Sequence, residues 1–410
     1  MKLSALISFF FLFALPILGN TIYVPDDQPT INAAIGASTH GDSIIVRPGI
    51  YFENIDFGGK NVTVQSLHGH HCTTIDGTQT TSAVRFASGE DAGALLEGFT
   101  ITNGAGTPSG GGVFCRGASP TLRGNLIVEN RAVHGGGIYV ENGLPLMVNN
   151  LVIGNEADLS GGGIACDIGG DTTLTNCTLS ANSAGAEGGG LVCRNSAAPA
   201  LFNTILWSNS APLGAEIFTD QADPSLSHCN VAGGWPGTNN IDADPLFVKA
   251  EHHDFHLTFQ SPCGNGGDPA APGLPSADFE GDPRNIWGGV DIGADEFFYH
   301  LYQIGPMTPG STSTIRVIGW PHNKRAPVLL ALGSAIADPP TPTPWGDLFL
   351  TQPFVYLGEI GYLRPTGSLI KPFTVPIQWN AGEEKPFQAL VGHSYWSSSP
   401  LTNLLVLKVE

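Results

Sequence analysis

The sequence predicts an all-β chain, a long parallel β-solenoid followed by a small antiparallel β-sandwich. Three observations predict it. A glycine triplet recurs at Gly110-Gly111-Gly112, Gly135-Gly136-Gly137, Gly161-Gly162-Gly163 and Gly188-Gly189-Gly190, with starts 25, 26 and 27 residues apart. A degenerate copy, Gly214-Ala215-Glu216, follows 26 residues later. An asparagine keeps the same beat at Asn103, Asn130, Asn155, Asn182 and Asn209. Periods of this size mark stacked units, none of which buries a core alone. Composition agrees: 54 Gly and 31 Pro with only 13% charged residues suit many tight turns, and lack the high charge of a disordered chain.

The 410 residues allow two or three domains. Residues 1–19 read as a cleaved signal peptide: Lys2, an apolar run from Leu3 to Leu18, then Gly19-Asn20. An uncleaved anchor is the other reading, although the run is shorter than the about 20 residues of a comfortable span. No second apolar segment follows, so no membrane insertion is expected after cleavage. Residues 20–59 read as the N-terminal cap of the solenoid. Thr21-Ile22-Tyr23-Val24 predicts a strand, and Pro29–Ile35 predicts a helix with Pro29 at its first position and Ile31, Ala34 and Ile35 on one face. Alternation resumes at Asp42–Val46 and Asn61–Val64. Residues 60–240 hold the repeats, with about seven coils expected over 60–230.

Here the chain resembles a known group. Val24–Ile31, Gly41-Asp42-Ser43-Ile44 and Pro48–Glu53 look like the opening of secreted bacterial right-handed parallel β-helix proteins of the pectin-lyase-like superfamily. The Gly-Gly-Gly-Ile and Asn-x-Ala repeats are similar to its polymorphic-outer-membrane-protein-like members. Asp242–Phe247, Phe255-His256-Leu257, Ser261-Pro262-Cys263 and Asp291–Glu296 resemble the closing coil of the same group, which sets 241–297 as the closing segment. The resemblance implies a right-handed parallel β-helix over roughly 21–297. It also implies a group holding lyases with Ca²⁺-bridging aspartates, hydrolases with close aspartates, and many members with no known reaction. Fold alone does not choose among these. After a Pro-rich boundary at 305–310, residues 298–410 show short apolar alternations such as Thr314–Ile318 and end in the expected core strand 404–409. They read as the β-sandwich.

Net charge is −19, of which residues 298–410 contribute +1 and the rest −20. Such a surface repels nucleic acid and anionic lipid. Among the seven cysteines, Cys115, Cys166 and Cys193 share one repeat position, which reads as an interior column of free thiols. No metal spacing appears among the seven.

Alternation after each triplet places Val113, Ile138, Ile164, Leu191 and Ile217 inward. Two outward columns follow: Phe114, Tyr139, Ala165, Val192, Phe218, and Arg116, Glu141, Asp167, Arg194, Asp220. The second reads as a salt-bridge ladder, Arg116 with Glu141 and Arg194 with Asp167 or Asp220. It also reads as a sugar site. Phe114 and Tyr139 would stack on rings, Arg116, Glu141, Asp167 and Arg194 would bind, and Glu141 and Asp167 are the candidate catalytic pair. The asparagine column reads as corner residues in left-handed conformations, stacked as a ladder. Glu251–Asp254 with His256 reads as a turn rather than a metal site. Asp278, Glu280 and Asp282, beside Asp291, Asp295 and Glu296, are the one Ca²⁺ candidate; otherwise no cofactor is expected. The expectation is an exported, monomeric, non-catalytic module that binds a polysaccharide or surface protein, outside the cell or at its surface. A polysaccharide lyase or glycoside hydrolase, and a structural spacer, are the alternatives.

Overall fold

A computed structural model describes residues 19–297, apart from 253, 259–260, 283 and 285–288; beyond 297 it describes the backbone of the strands. The signal segment and the Pro-rich boundary lie outside the described residues. Each coil contributes one short strand to each of three parallel sheets. Sheet 1 has nine strands, from Thr21–Val24 to Ser225–Ser227; sheet 2 has eight, from Gly49–Phe52 to Asn230–Val231; sheet 3 has seven, from Ile55–Asp56 to Ile217–Asp220. In four coils an extra strand forms a fourth, short parallel sheet between sheets 2 and 3, at Ala105–Ser109, Arg131–His134, Glu156–Ser160 and Ser183–Ala184. Stacking is in register: Val113 pairs with Ile138, Ile138 with Ile164, Ile164 with Leu191 and Leu191 with Ile217.

The triplets sit where the fourth sheet turns into sheet 3. They stack directly, Gly111 N–H on the Gly135 carbonyl, Gly136 on Gly161 and Gly162 on Gly188. Glycine is required twice over here. Gly135 has φ +65°, and a Cβ at Gly137 would stand 2.5 Å from the Gly163 carbonyl oxygen of the next coil. The degenerate copy puts Glu216 at the third position, with no further triplet to receive.

Coils begin earlier than expected, at Ser43–Val46 within the stretch read as cap. The helix is Ile31–Ala37, and Thr30, not Pro29, starts it: the Thr30 hydroxyl accepts from Ala33 N–H, leaving Pro29 one residue outside. Ile31, Ala34 and Ile35 are its buried face, as expected. The core is a continuous column of inward side chains, including Phe57, Phe86, Phe99, Ile138, Ile164 and Leu191. Each such side chain contributes roughly 1.5–3 kcal/mol of burial. Cys115, Cys166 and Cys193 lie in it, Cys166 registered on Cys193, and all seven cysteines are free thiols.

The asparagine ladder is real, but its conformational reason is corrected. Asn130 Nδ2 donates to Asn155 Oδ1 at 3.0 Å, Asn155 to Asn182 at 3.0 Å and Asn182 to Asn209 at 2.9 Å, all buried. The left-handed residue is the one before each: Glu129, Gly154, Ala181 and Ser208. Asn103, with φ +55°, belongs to that preceding position, and Gly104 N–H donates to Asn130 Oδ1 in its place. The ladder ends on Glu216, whose carboxylate accepts Asn209 N–H at 3.1 Å and Asn209 Nδ2 at 2.5 Å. Burial raises the Glu216 carboxyl above its usual range.

Among the described residues, 241–297 continue the coil stack only at Ile241, which pairs in parallel with Asn230. A hairpin, Phe247–Lys249 with Asp254–Leu257, leads into a strap that runs back along the outside of sheet 2. Leu257, Cys263, Ile292 and Phe297 pack on Ile205, and Phe255 and Ala294 on Leu151 and Ile153. A second set of asparagines, left-handed at the corner between sheets 1 and 2, ties it down. Asn149 Nδ2 donates to the Ala277 carbonyl at 2.7 Å, Asn176 to Asp291 at 2.9 Å and Asn203 to Asp268 at 3.1 Å.

Beyond 297 the strands pair antiparallel in three sheets: His300–Ile304, Thr312–Ile318 and Ser368–Thr374; Val355–Tyr362, Pro327–Leu332, Glu384–Val391 and Leu405–Lys408; and Ile336–Thr343 with Gly346–Leu350. The last strand stands at the end of its sheet's order, not in the middle.

Asn155→Ala strands the buried Asn130 N–H and Ile127 carbonyl on the preceding coil, and takes a donor from Asn182 Oδ1 on the next. It should destabilise the protein by about 3 kcal/mol, read as a lowered thermal midpoint. Asn103→Gly, outside the ladder, loses only its bond to the Asp76 carboxylate and should cost about 1 kcal/mol, clearly less than Asn155→Ala.

Candidate functional site

The outward face of sheet 3 is built as the alternation requires. Phe114, Tyr139, Ala165, Val192 and Phe218 form one cluster. Its rings stack along the solenoid axis: Phe114 and Tyr139 are nearly parallel, centroids 5.8 Å apart. The Arg85 and Arg116 guanidiniums lie 5.2 and 5.7 Å from the Phe114 centroid. Tyr139 is not an open platform. It is 7% exposed, and it shares with His134, Ser160 and Arg194 a cleft of about 120 Å³ at the turn from the fourth sheet. Phe114 remains half-buried and Arg116 exposed.

The charged column is partly the ladder expected. Arg116 binds Glu141 Oε2 through Nε at 3.0 Å and Nη2 at 2.9 Å. This pair raises the Arg116 guanidinium pKa further. Arg194 departs from expectation: it pairs with Glu187 and donates to Ser160 Oγ at 3.2 Å. Asp167 instead accepts Asn195 Nδ2 at 2.6 Å. The Tyr139 hydroxyl reaches both carboxylates, Glu141 Oε2 at 3.2 Å and Asp167 Oδ2 at 3.4 Å. Burial first, then the two carboxylates, push this phenol well above its usual range. So the site brings Glu141 and Asp167 together on one hydroxyl, and leaves Arg194 out. His134, which sequence reasoning missed, binds Ser160 Oγ at 2.7 Å, with its pKa lowered by burial and by Arg194. Its only sequence signal was its place just before a triplet.

The Ca²⁺ candidates lie in the strap, where the oxygens of Asp278 and Glu280 have other partners. Asp278 Oδ1 accepts the N–H groups of Glu280, Gly281 and Asp282, and its Oδ2 accepts that of Glu296. Glu280 bridges two histidines, His71 Nε2 at 3.0 Å and His256 Nε2 at 2.7 Å. His256 Nδ1 meets Asp254 at 2.5 Å. Among the described residues no group of three or more His, Cys, Asp or Glu is arranged to hold a metal. The stretch Ala250–His252 is a short 3-10 turn, as expected, and residue 253 lies outside the described residues.

The strap is rich in buried acid. Burial, then the neighbouring Asp278 charge, raises Asp282 to about 8; burial and Asp291 raise Glu296 to about 9; burial raises Asp291 to about 6. Arg284 answers part of this, donating to Glu296 at 3.2 Å and to Asn149 Oδ1 at 3.0 Å. Burial opposes the charge on His256, yet Asp254 and Glu280 lift it to about 11. The two histidines outweigh burial at Glu280 and hold its carboxyl below the usual range.

Residues 48–233 match a family model described as a right handed beta helix region. No curated protein and no solved structure matches the chain. The match spans the coils and, with the in-register parallel sheets, identifies the fold as a right-handed parallel β-helix. Among the described residues no helix is long and apolar enough to cross a membrane.

An acid whose pKa is raised by folding costs stability as pH climbs from its unfolded value near 4 to its folded value. Asp282 and Glu296 therefore loosen the strap between about pH 4 and pH 9. Limited proteolysis within 265–290 should run several-fold faster at about pH 9 than at about pH 6. Asp282→Asn should flatten that difference.

Proposed function

We propose that the protein is an exported, non-catalytic β-helix module that holds a glycan or a protein partner, at the cell surface or outside the cell. The reading rests on one observation. On the outward face of sheet 3, Phe114 is clamped between the half-exposed guanidiniums of Arg85 and Arg116, with Glu141 fixed beside them. A guanidinium fork held in place loses little freedom when it meets a hydroxyl or carboxylate. The ring presents its edge rather than its face, so it serves as an apolar boundary more than as a stacking plane.

The absence of catalysis is supported by how the two acids are used. Glu141 Oε2 takes Arg116 and the Tyr139 hydroxyl; Asp167 takes Asn195 and the same hydroxyl. A glycosidase pair needs one carboxyl free to give a proton and one free to attack. Export rests on Lys2 and the apolar run that follows it.

A glycan array with the full chain, followed by reducing-end and unsaturated-product assays on every bound glycan, tests the reading. Arg116→Ala and Phe114→Ala should each weaken capture about tenfold, and Ala165→Ser should leave it unchanged. No product should form. Turnover that Glu141→Gln abolishes would instead establish a lyase or hydrolase, and no capture of any glycan or partner would leave a spacer.

A further inference from the structure

The strap does not lie flat along the whole solenoid. Between it and the corner of sheets 1 and 2 runs a groove of about 580 Å³, within the range of small-ligand sites. One side is an outward column of sheet 1. Gln65 registers on Glu97 and Glu97 on Arg123, in steps of about 4.8 Å. The next residue of the column is Val148, which is buried. The other side is the strap from Gly273 to Gly281, with Leu274 and Phe279 facing in. Phe279 is held by ring contacts with His70 at 5.4 Å and His256 at 5.7 Å.

The polar groups here are not consumed as they are on sheet 3. Arg123 and Glu97 approach only to 3.7 Å, beyond hydrogen-bond distance, and keep 44% and 26% of their side-chain surface exposed. The residues that follow them are glycines, Gly98 and Gly124, at φ +76° and +59°. A Cβ at Gly124 would meet nothing within 4 Å, so the floor beside Arg123 is open. Leu67, 41% exposed, also lines the groove.

We propose that this groove is a binding site for a short neutral oligosaccharide. The Glu97–Arg123 pair offers an acceptor and a donor side by side, which two adjacent hydroxyls of one sugar ring satisfy together. Gln65 offers both roles one coil further on. Phe279, Leu274 and Leu67 supply apolar surface for the carbon faces of the rings. The column sums to zero charge, and the strap's acids stand close by, so a uronate gains nothing and meets repulsion. This site is separate from the strip on sheet 3 and does not depend on it.

Calorimetric titration of the full chain tests the proposal. The ligands are neutral gluco-, manno- and xylo-oligosaccharides, an oligogalacturonate, and a pool of extended peptides. At least one neutral series should bind, and Arg123→Met, which keeps the apolar stem, should weaken it about tenfold or more, the loss expected for a hydrogen bond from a charged group. Glu97→Gln gives a second reading should Arg123→Met alter the thermal midpoint. Lys249→Met, exposed on the hairpin and outside both sites, should leave this affinity unchanged. The proposal is overturned by no neutral ligand binding at about 10 mM, by preference for the uronate or the peptides, or by equal affinity of wild type and both variants.

Discussion

Every feature of this solenoid depends on how closely one coil's backbone can approach the next. Parallel strands in register demand a spacing of about 4.8 Å all the way round the coil, corners included. On a strand the side chains point away from that contact. At the corner before sheet 3 they would not: the second and third triplet positions aim a Cβ at the neighbouring carbonyl. Glycine removes the obstacle, and amide-to-carbonyl bonds run through the corner as through a strand. The interior columns, the cysteine stack and the outward strip inherit their register from it.

The polar ladders solve a related problem. A corner on the inside of the coil leaves backbone groups with no strand partner, and a buried unpaired group costs about 1–3 kcal/mol. Asn130, Asn155, Asn182 and Asn209 each bond at least one backbone carbonyl, accept one backbone N–H and pass one amide bond along. The second set, Asn149, Asn176 and Asn203, captures the strap, and Asn203 also donates to Asn176 on the neighbouring coil. One residue type thus stitches coil to coil at both corners, and at one of them ties the strap down as well.

Much of this was legible in the chain, because a repeat reports itself many times. The triplets and the Asn130-to-Asn209 beat gave period, register and inward columns, and alternation placed Phe114, Tyr139, Arg116 and Glu141 on one face. What could not be read were contacts from outside the repeat. The fourth sheet, which encloses Tyr139, shows no alternation distinct from a loop. The partner of Arg194 is Glu187, whose place on the corner depends on how the triplet turns. The strap's course depends on Asn149, Asn176 and Asn203, which look like ordinary turn residues until the chain that meets them, more than sixty positions on, is in view.

The ladder's end has a consequence for how such a chain can lengthen. Amide passes to amide in one sense only, so the series is directional, and its final member must be a group that accepts without donating. Glu216 is that member, set where a triplet glycine would otherwise stand. A duplicated unit inserted anywhere ahead of it finds an amide on either side and joins the series. One appended behind it meets a carboxylate with nothing to give and a side chain where the next backbone has to pass. Variation in the number of coils is thereby confined to the middle of the helix, and the strap, anchored at both ends of that stretch, would have to grow with it.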